Sequence, residues 1–187
     1  MKHIILILSL LTVINPLASA QDEKQIYGDL MIIKSSISGF DYWVFTLKSV
    51  SDYHRENLGK VKYDKAPTDL KLYLDSDSVL RATICSVLSA EDIRSLNQSI
   101  QLGVKVDKNG KARDIVIVSE KPGDNLLNID KPKLEKLLVE LKKNLTFNTS
   151  KWEGNYTITR HIRISADGLK NGTPLFIQDG KTRDFKF

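Results

Sequence analysis

The stretch Gln101-Leu-Gly-Val-Lys-Val-Asp-Lys-Asn-Gly-Lys-Ala-Arg-Asp-Ile-Val-Ile-Val118 decides the fold. Leu102, Val104 and Val106 alternate with polar or small residues, and Ile115 to Val118 is an unbroken β-branched run, so both ends read as strands. Between them Lys108-Asn109-Gly110 offers residues that accept positive φ, which a tight turn between right-twisted strands demands. The spacing predicts a β-hairpin.

Downstream, a polar loop with Pro122 and Gly123 leads to a helix entered around Asp130 and Pro132. Its Leu134, Leu137, Leu138, Leu141 and Leu145 fall on one stripe. After a loop over Phe147 to Gly154, Tyr156 to Ile164 alternates again. Tyr156, Ile158, Ile162 and Ile164 share one face; Thr157, Thr159, His161 and Arg163 share the other. Arg160 interrupts the apolar face, but its stem can lie on apolar surface with the guanidinium at the rim. A helix that returns the chain after the hairpin sets this third strand antiparallel to the first, in the order second, first, third. The third strand then lies at an edge, either open to a partner or covered by a tail strand at Leu175 to Gln178.

Upstream, Ser89 with Asp92 three positions on resembles a capping arrangement. Ile93, Leu96 and Ile100 keep helical spacing, which predicts a short helix from Ala90 to about Ser99. Val79 to Leu88 fits either a buried strand or a helix, and Cys85 within it is expected to be a core thiol. From Ile26 to Leu74 strand-like runs alternate with turns: Leu30 to Ile33, Tyr42 to Leu47, Val61 to Tyr63 and Leu70 to Leu74, with a short helix over Ser51 to Leu58 closed by Gly59. The fold class is α+β, an antiparallel sheet of hairpin, helix and strand with a covering helix, plus an N-terminal strand-rich segment. The expected division is a leader over 1–20, the strand-rich segment over 21–88, and an α+β region with its tail strand over 89–187.

The hairpin from Val104 to Val118, with its Asp107-x-x-Gly110 turn and Arg113-Asp-Ile-Val116, resembles the C-terminal domain of TonB and its relatives. The Leu-rich helix ending in Leu145-Thr-Phe147 and the alternating strand after it extend the similarity over about Ala90 to Ser165. The resemblance implies a module that takes an extended peptide from an outer-membrane protein as an added strand on its last sheet strand, here Tyr156 to Ile164. On that strand Thr157, Thr159, His161 and Arg163 would select the partner. The chain departs from TonB in having a cleavable leader in place of a retained anchor, and only five prolines in place of a Pro-rich arm.

Composition bounds the alternatives. Hydrophobic residues make up 41% and charged residues 27%, which is globular rather than disordered composition. Residues 21–100 carry 10 Lys/Arg against 12 Asp/Glu and residues 101–187 carry 17 against 11, so the second half is mildly basic. Its lysines at 105, 108, 111 and 136 are interleaved with acids and lack stacking aromatics, which argues against nucleic acid as a partner. The mature histidines, His54 and His161, lack companions at metal-ligand spacing, and no cofactor is implied. Asp75-Ser-Asp77 and Asp107-Lys-Asn109-Gly110 read as turns, since neither has the distant bidentate glutamate of a calcium loop. No nucleophile elbow or phosphate loop occurs, so a peptide or protein interaction module is the leading expectation. An exported hydrolase with an unrecognised site is the alternative.

Export is read from Met1 to Ala20: Lys2, an apolar run from Ile4 to Leu11, Asn15-Pro16, then Ala18-Ser19-Ala20 fitting a signal peptidase. The run is shorter than the roughly 20 residues that span a bilayer, and no later segment is apolar enough to do so. The mature protein is therefore expected in the periplasm or outside the cell. N-terminal sequencing of protein recovered from its native host should find Gln21 or a neighbouring residue first; an intact Met1 would overturn this.

Overall fold

The computed structural model describes residues 23–37, 40–50, 73–74, 77–96, 99–119, 125–148, 158–173 and 175. The leader, the helix expected over Ser51 to Leu58, the strand at Val61 to Tyr63 and the tail from Phe176 to Gln178 lie outside the described residues.

The hairpin forms as its turn chemistry requires. Strand β5 (Ile100–Val106) pairs antiparallel with β6 (Ala112–Ser119). In the turn Gly110 takes φ +74°, and its amide donates to the Asp107 carbonyl at 2.9 Å. The Asp107 carboxylate accepts the amides of Asn109 at 2.8 Å and Lys111 at 3.0 Å, so a single side chain organises the turn. The register shifts between Lys105 and Val106, leaving Arg113 as an extra residue in β6. Its Nε donates to Asp107 Oδ2 at 2.6 Å, which balances a carboxylate on a buried residue.

Three N-terminal strands extend the same sheet: β1 (Glu23–Tyr27), β2 (Leu30–Ile37) and β3 (Phe40–Leu47). β3 lies against β6 through Trp43, Val44 and Phe45, opposite Ser119, Val118 and Ile117. The last strand, β8 (Ile158–Ile164), pairs with β5, completing a six-stranded antiparallel sheet in the order β1-β2-β3-β6-β5-β8. Hairpin and third strand therefore take the expected order. Strand β4 (Tyr73–Leu74) forms a separate small sheet with β7 (Phe147–Asn148), placing a short paired strand at the start of the expected loop.

The helices cover one face. Helix α1 (Asp77–Val87) settles the ambiguous apolar run as helical. Leu80, Ile84 and Leu88 recur at spacings of four and are all buried, whereas Cys85 is exposed. The core placement expected for that thiol is thus corrected: helical periodicity turns position 85 away from the stripe, where a strand would have had both faces to bury it. Helix α2 (Ala90–Ser95) has the capping box, with the Ser89 amide donating to Asp92 Oδ2 at 2.8 Å and the Asp92 amide donating to Ser89 Oγ at 3.1 Å. Lys133 Nζ joins the same carboxylate at 2.7 Å, and these donors hold Asp92 down at a pKa of about 2. The helix ends sooner than expected because Leu96 is already extended.

Helix α3 (Lys131–Asn144) carries the leucine stripe, and Leu134, Leu137, Leu138 and Leu141 are fully buried against the sheet and α1. Helix α4 (Ala166–Asn171) follows β8 directly. The sheet's other face has a smaller apolar cluster of Tyr42, Val44, Val116 and Val118 with Ile33 beside it. Burial on both faces explains why β6 reads as a continuous apolar run rather than an alternating one. Replacing Leu138 or Leu141 by Ala should cost on the order of 2–5 kcal/mol in denaturant unfolding, the range for leucines with no room to relax. Neutral results at both positions would contradict the packing of α3 on the sheet.

Candidate functional site

An antiparallel sheet that does not close leaves two edges, and each edge strand has one row of main-chain donors and acceptors free to pair. Among the described residues those edges are β1 and β8. All five residues of β1 are exposed, including Ile26 and Tyr27, and its first two are charged. It pairs with β2 at all five positions but anchors no side chain in the core. β8 is longer, in register with β5 from Ile158 opposite Val106 to Ile164 opposite Ile100. Its Ile162 and Ile164 side chains are buried in the helix-side core.

The direction of its amides follows from its end. Ile164 pairs with Ile100, and the next amide, that of Ser165, donates not across to β5 but to the Leu175 carbonyl at 2.6 Å. Backbone N–H groups alternate sides along a strand. With Ser165 directed away from β5, the amides of Thr159, His161 and Arg163 lie on the outer edge, and those of Ile158, Arg160, Ile162 and Ile164 bind β5.

Of the four residues expected to select a partner, Thr157 lies outside the described residues. Thr159, His161 and Arg163 stand opposite Lys105, Gly103 and Gln101. The structure thus aligns these three positions on one strand beside a polar and small row of β5, with Arg163 exposed. The side chains of Thr159 and His161 are not among those described, and His54 lies outside the described residues. Sequence reasoning could name the strand but not which parity faces out, because that depends on a contact ten residues further along the chain.

Among the described residues no group of three or more His, Cys, Asp or Glu is placed to hold a metal ion. The Asp107 carboxylate is committed to its turn and to Arg113, consistent with its reading as a turn residue. No described helix is long and apolar enough to cross a membrane.

No family model and no curated protein matches this chain. Among solved structures, a DUF5043 family protein from Bacteroides uniformis ATCC 8492 is similar, with a TM-score of 0.51 and 10% sequence identity over 77% of this chain and 90% of that one. At that identity the likeness speaks to the α+β fold alone.

The parity of β8 is open to a proline scan, because proline removes an amide and is tolerated only where that amide is not in the ladder. Arg160→Pro should destabilise the protein by on the order of 1–3 kcal/mol more than Arg160→Ala, the cost of a buried hydrogen bond broken on one side. The corresponding difference at His161 should be less than half as large. Equal costs at the two positions in thermal or denaturant unfolding would reverse the assignment.

Proposed function

We propose that this is an exported binding protein, periplasmic or secreted after cleavage near Ala20, which takes an extended peptide or a segment of an envelope protein as an added strand on β8. The observation that carries this reading is the outer row of Thr159, His161 and Arg163 amides on a strand whose other side is fixed in register to β5. Strand addition needs such a template: main-chain hydrogen bonds supply affinity, and side chains at alternate positions supply selectivity. Thr157, Thr159, His161 and Arg163 would read the partner's side chains. The resemblance of Ala90 to Ser165 to the TonB C-terminal domain supports the same use of the last strand. The exposed guanidinium side chain of Arg163 favours a partner with an acidic residue in register with it.

The test begins with capture of partners from the host envelope by the mature protein, followed by titration of a synthetic peptide covering the captured segment. His161→Pro should weaken that peptide at least about tenfold, since each lost main-chain hydrogen bond is worth roughly 1 kcal/mol and the ring also blocks close approach. His161→Ala should bind within about twofold of the parent if recognition at this position runs through the main chain. A peptide that binds the proline variant as tightly as the parent, or leaves exchange of the β8 amides unchanged, would refute the reading.

A further inference from the structure

The outward row of β8 has a closed end. Ser165 continues the parity of Thr159, His161 and Arg163, and its amide is already taken: it donates to the Leu175 carbonyl at 2.6 Å. Leu175 is fully buried, so this carbonyl belongs to a residue whose side chain is fixed in the helix-side core. The chain reaches it through α4, which Ser165 Oγ caps by accepting the Gly168 amide at 3.0 Å and which Gly172 ends in the left-handed conformation at φ +69°. Arg81 of α1 clamps this excursion at two points, donating to the Gly168 carbonyl at 2.7 Å and to the Thr173 carbonyl. Lys170 Nζ adds a third tie, on the Leu96 carbonyl at 2.6 Å.

A strand laid on β8 can draw on the outward groups of Thr159, His161 and Arg163, but at the next outward position it meets the Leu175 carbonyl. Moving that carbonyl aside would draw the leucine out of the core and uncover its apolar surface, which is costly. Beyond it there is no further strand to pair with, because α4 begins at Ala166. Main-chain hydrogen bonds are alike at every step, so edge pairing by itself tolerates a slip of two residues, which keeps both the bonds and the side-chain faces. A fixed end limits that slip.

We propose that Leu175, held in place by Arg81, is a specificity-determining stop for any strand that β8 accepts: pairing ends at Arg163, and there the partner's chain terminates or turns out of the sheet. The inference rests on the reading of β8 as a binding edge and deepens it by defining which segment fits. The partner is an extended segment bounded on that side by a chain terminus or a turn former such as glycine or proline. Arg163 is then the last position read, and its exposed side chain lies beside the end of the bound segment.

Amide exchange and a nested pair of peptides test this on the full mature protein. Without peptide, the Ser165 amide should exchange at least tenfold more slowly in the parent than in Arg81→Met, which keeps an apolar stem but loses both carbonyl bonds. Leu175→Ala, which leaves Arg81 in place, should accelerate it in the same way. The probes are the synthetic peptide covering the captured envelope segment and the same peptide lengthened by Thr-Val-Thr at the end beside Arg163, that end being the one whose nitroxide label broadens the Arg163 amide signal. Bound to the parent, the shorter peptide should protect the amides of Thr159, His161 and Arg163 and leave that of Ser165 unchanged. The extension should alter affinity less than twofold in the parent and tighten it about fivefold in Arg81→Met, the effect of one further main-chain hydrogen bond. Rapid Ser165 exchange in the free parent, or an extension that tightens binding to parent and variant alike, overturns the stop and leaves β8 as a binding edge. A peptide that binds without protecting the three outward amides overturns both.

Discussion

The burial of the α3 leucine stripe against the inner face of the sheet is the interaction on which the remaining structure depends. Leu134, Leu137, Leu138 and Leu141 have no exposure, and α3 touches β2, β3 and β6 as well as α1. β3 and β6 are far apart in sequence and share only three paired positions, so the seam between them is too short to define the sheet by hydrogen bonding alone. The helix lies across that seam and makes one hydrophobic surface of the two parts. Glu135 on the same helix adds a polar tie, its Oε2 accepting the Asp29 amide at 3.2 Å in the turn between β1 and β2. Asp29 in turn receives the Ser49 amide at 2.8 Å, so the turn, the end of β3 and the helix are fixed together.

With the inner face settled in this way, the register of β8 follows. Ile162 and Ile164 must enter the same core, and a slip of one residue would bring Arg163 into it and expose both isoleucines. Side-chain face and backbone direction alternate with the same period, so the register that buries the even positions also keeps the odd amides together on the side to which the Ser165 amide, bound to the Leu175 carbonyl, assigns them.

Much of this was legible in the sequence where the determinants are local. The hairpin announced itself through Asn109-Gly110 and the runs beside it, the capping box through Ser89 and Asp92, and α3 through its leucines. What local pattern did not carry was partner choice across long separations: that β3 would meet β6, or that Tyr73 and Leu74 would pair with Phe147 and Asn148. Gly110 shows why such contacts escape notice. Its carbonyl accepts the Phe147 amide at 2.9 Å, and a Cβ at this position would come within 2.1 Å of the Phe147 carbonyl oxygen. The glycine serves a close crossing as well as a turn, and only the turn is written in its neighbours. The run from Val79 to Leu88 was ambiguous for a different reason, being too short for its period to separate helix from strand, and the misplacement of Cys85 followed from that. At the candidate site, the strand and its two faces were readable, whereas the outward parity rests on the meeting of Ser165 with Leu175.

The exposure of Cys85 has a consequence for how the molecule behaves under oxidation. It is the sole cysteine of the chain and lies on the open side of α1, so any disulfide it forms joins it to another molecule. Folding involves no choice among cross-links and no reshuffling step, and nothing covalent limits the unfolded ensemble. The same thiol is a ready-made attachment point: one dye, spin label or surface linker can be placed on the natural sequence, on a helix face that the core does not need.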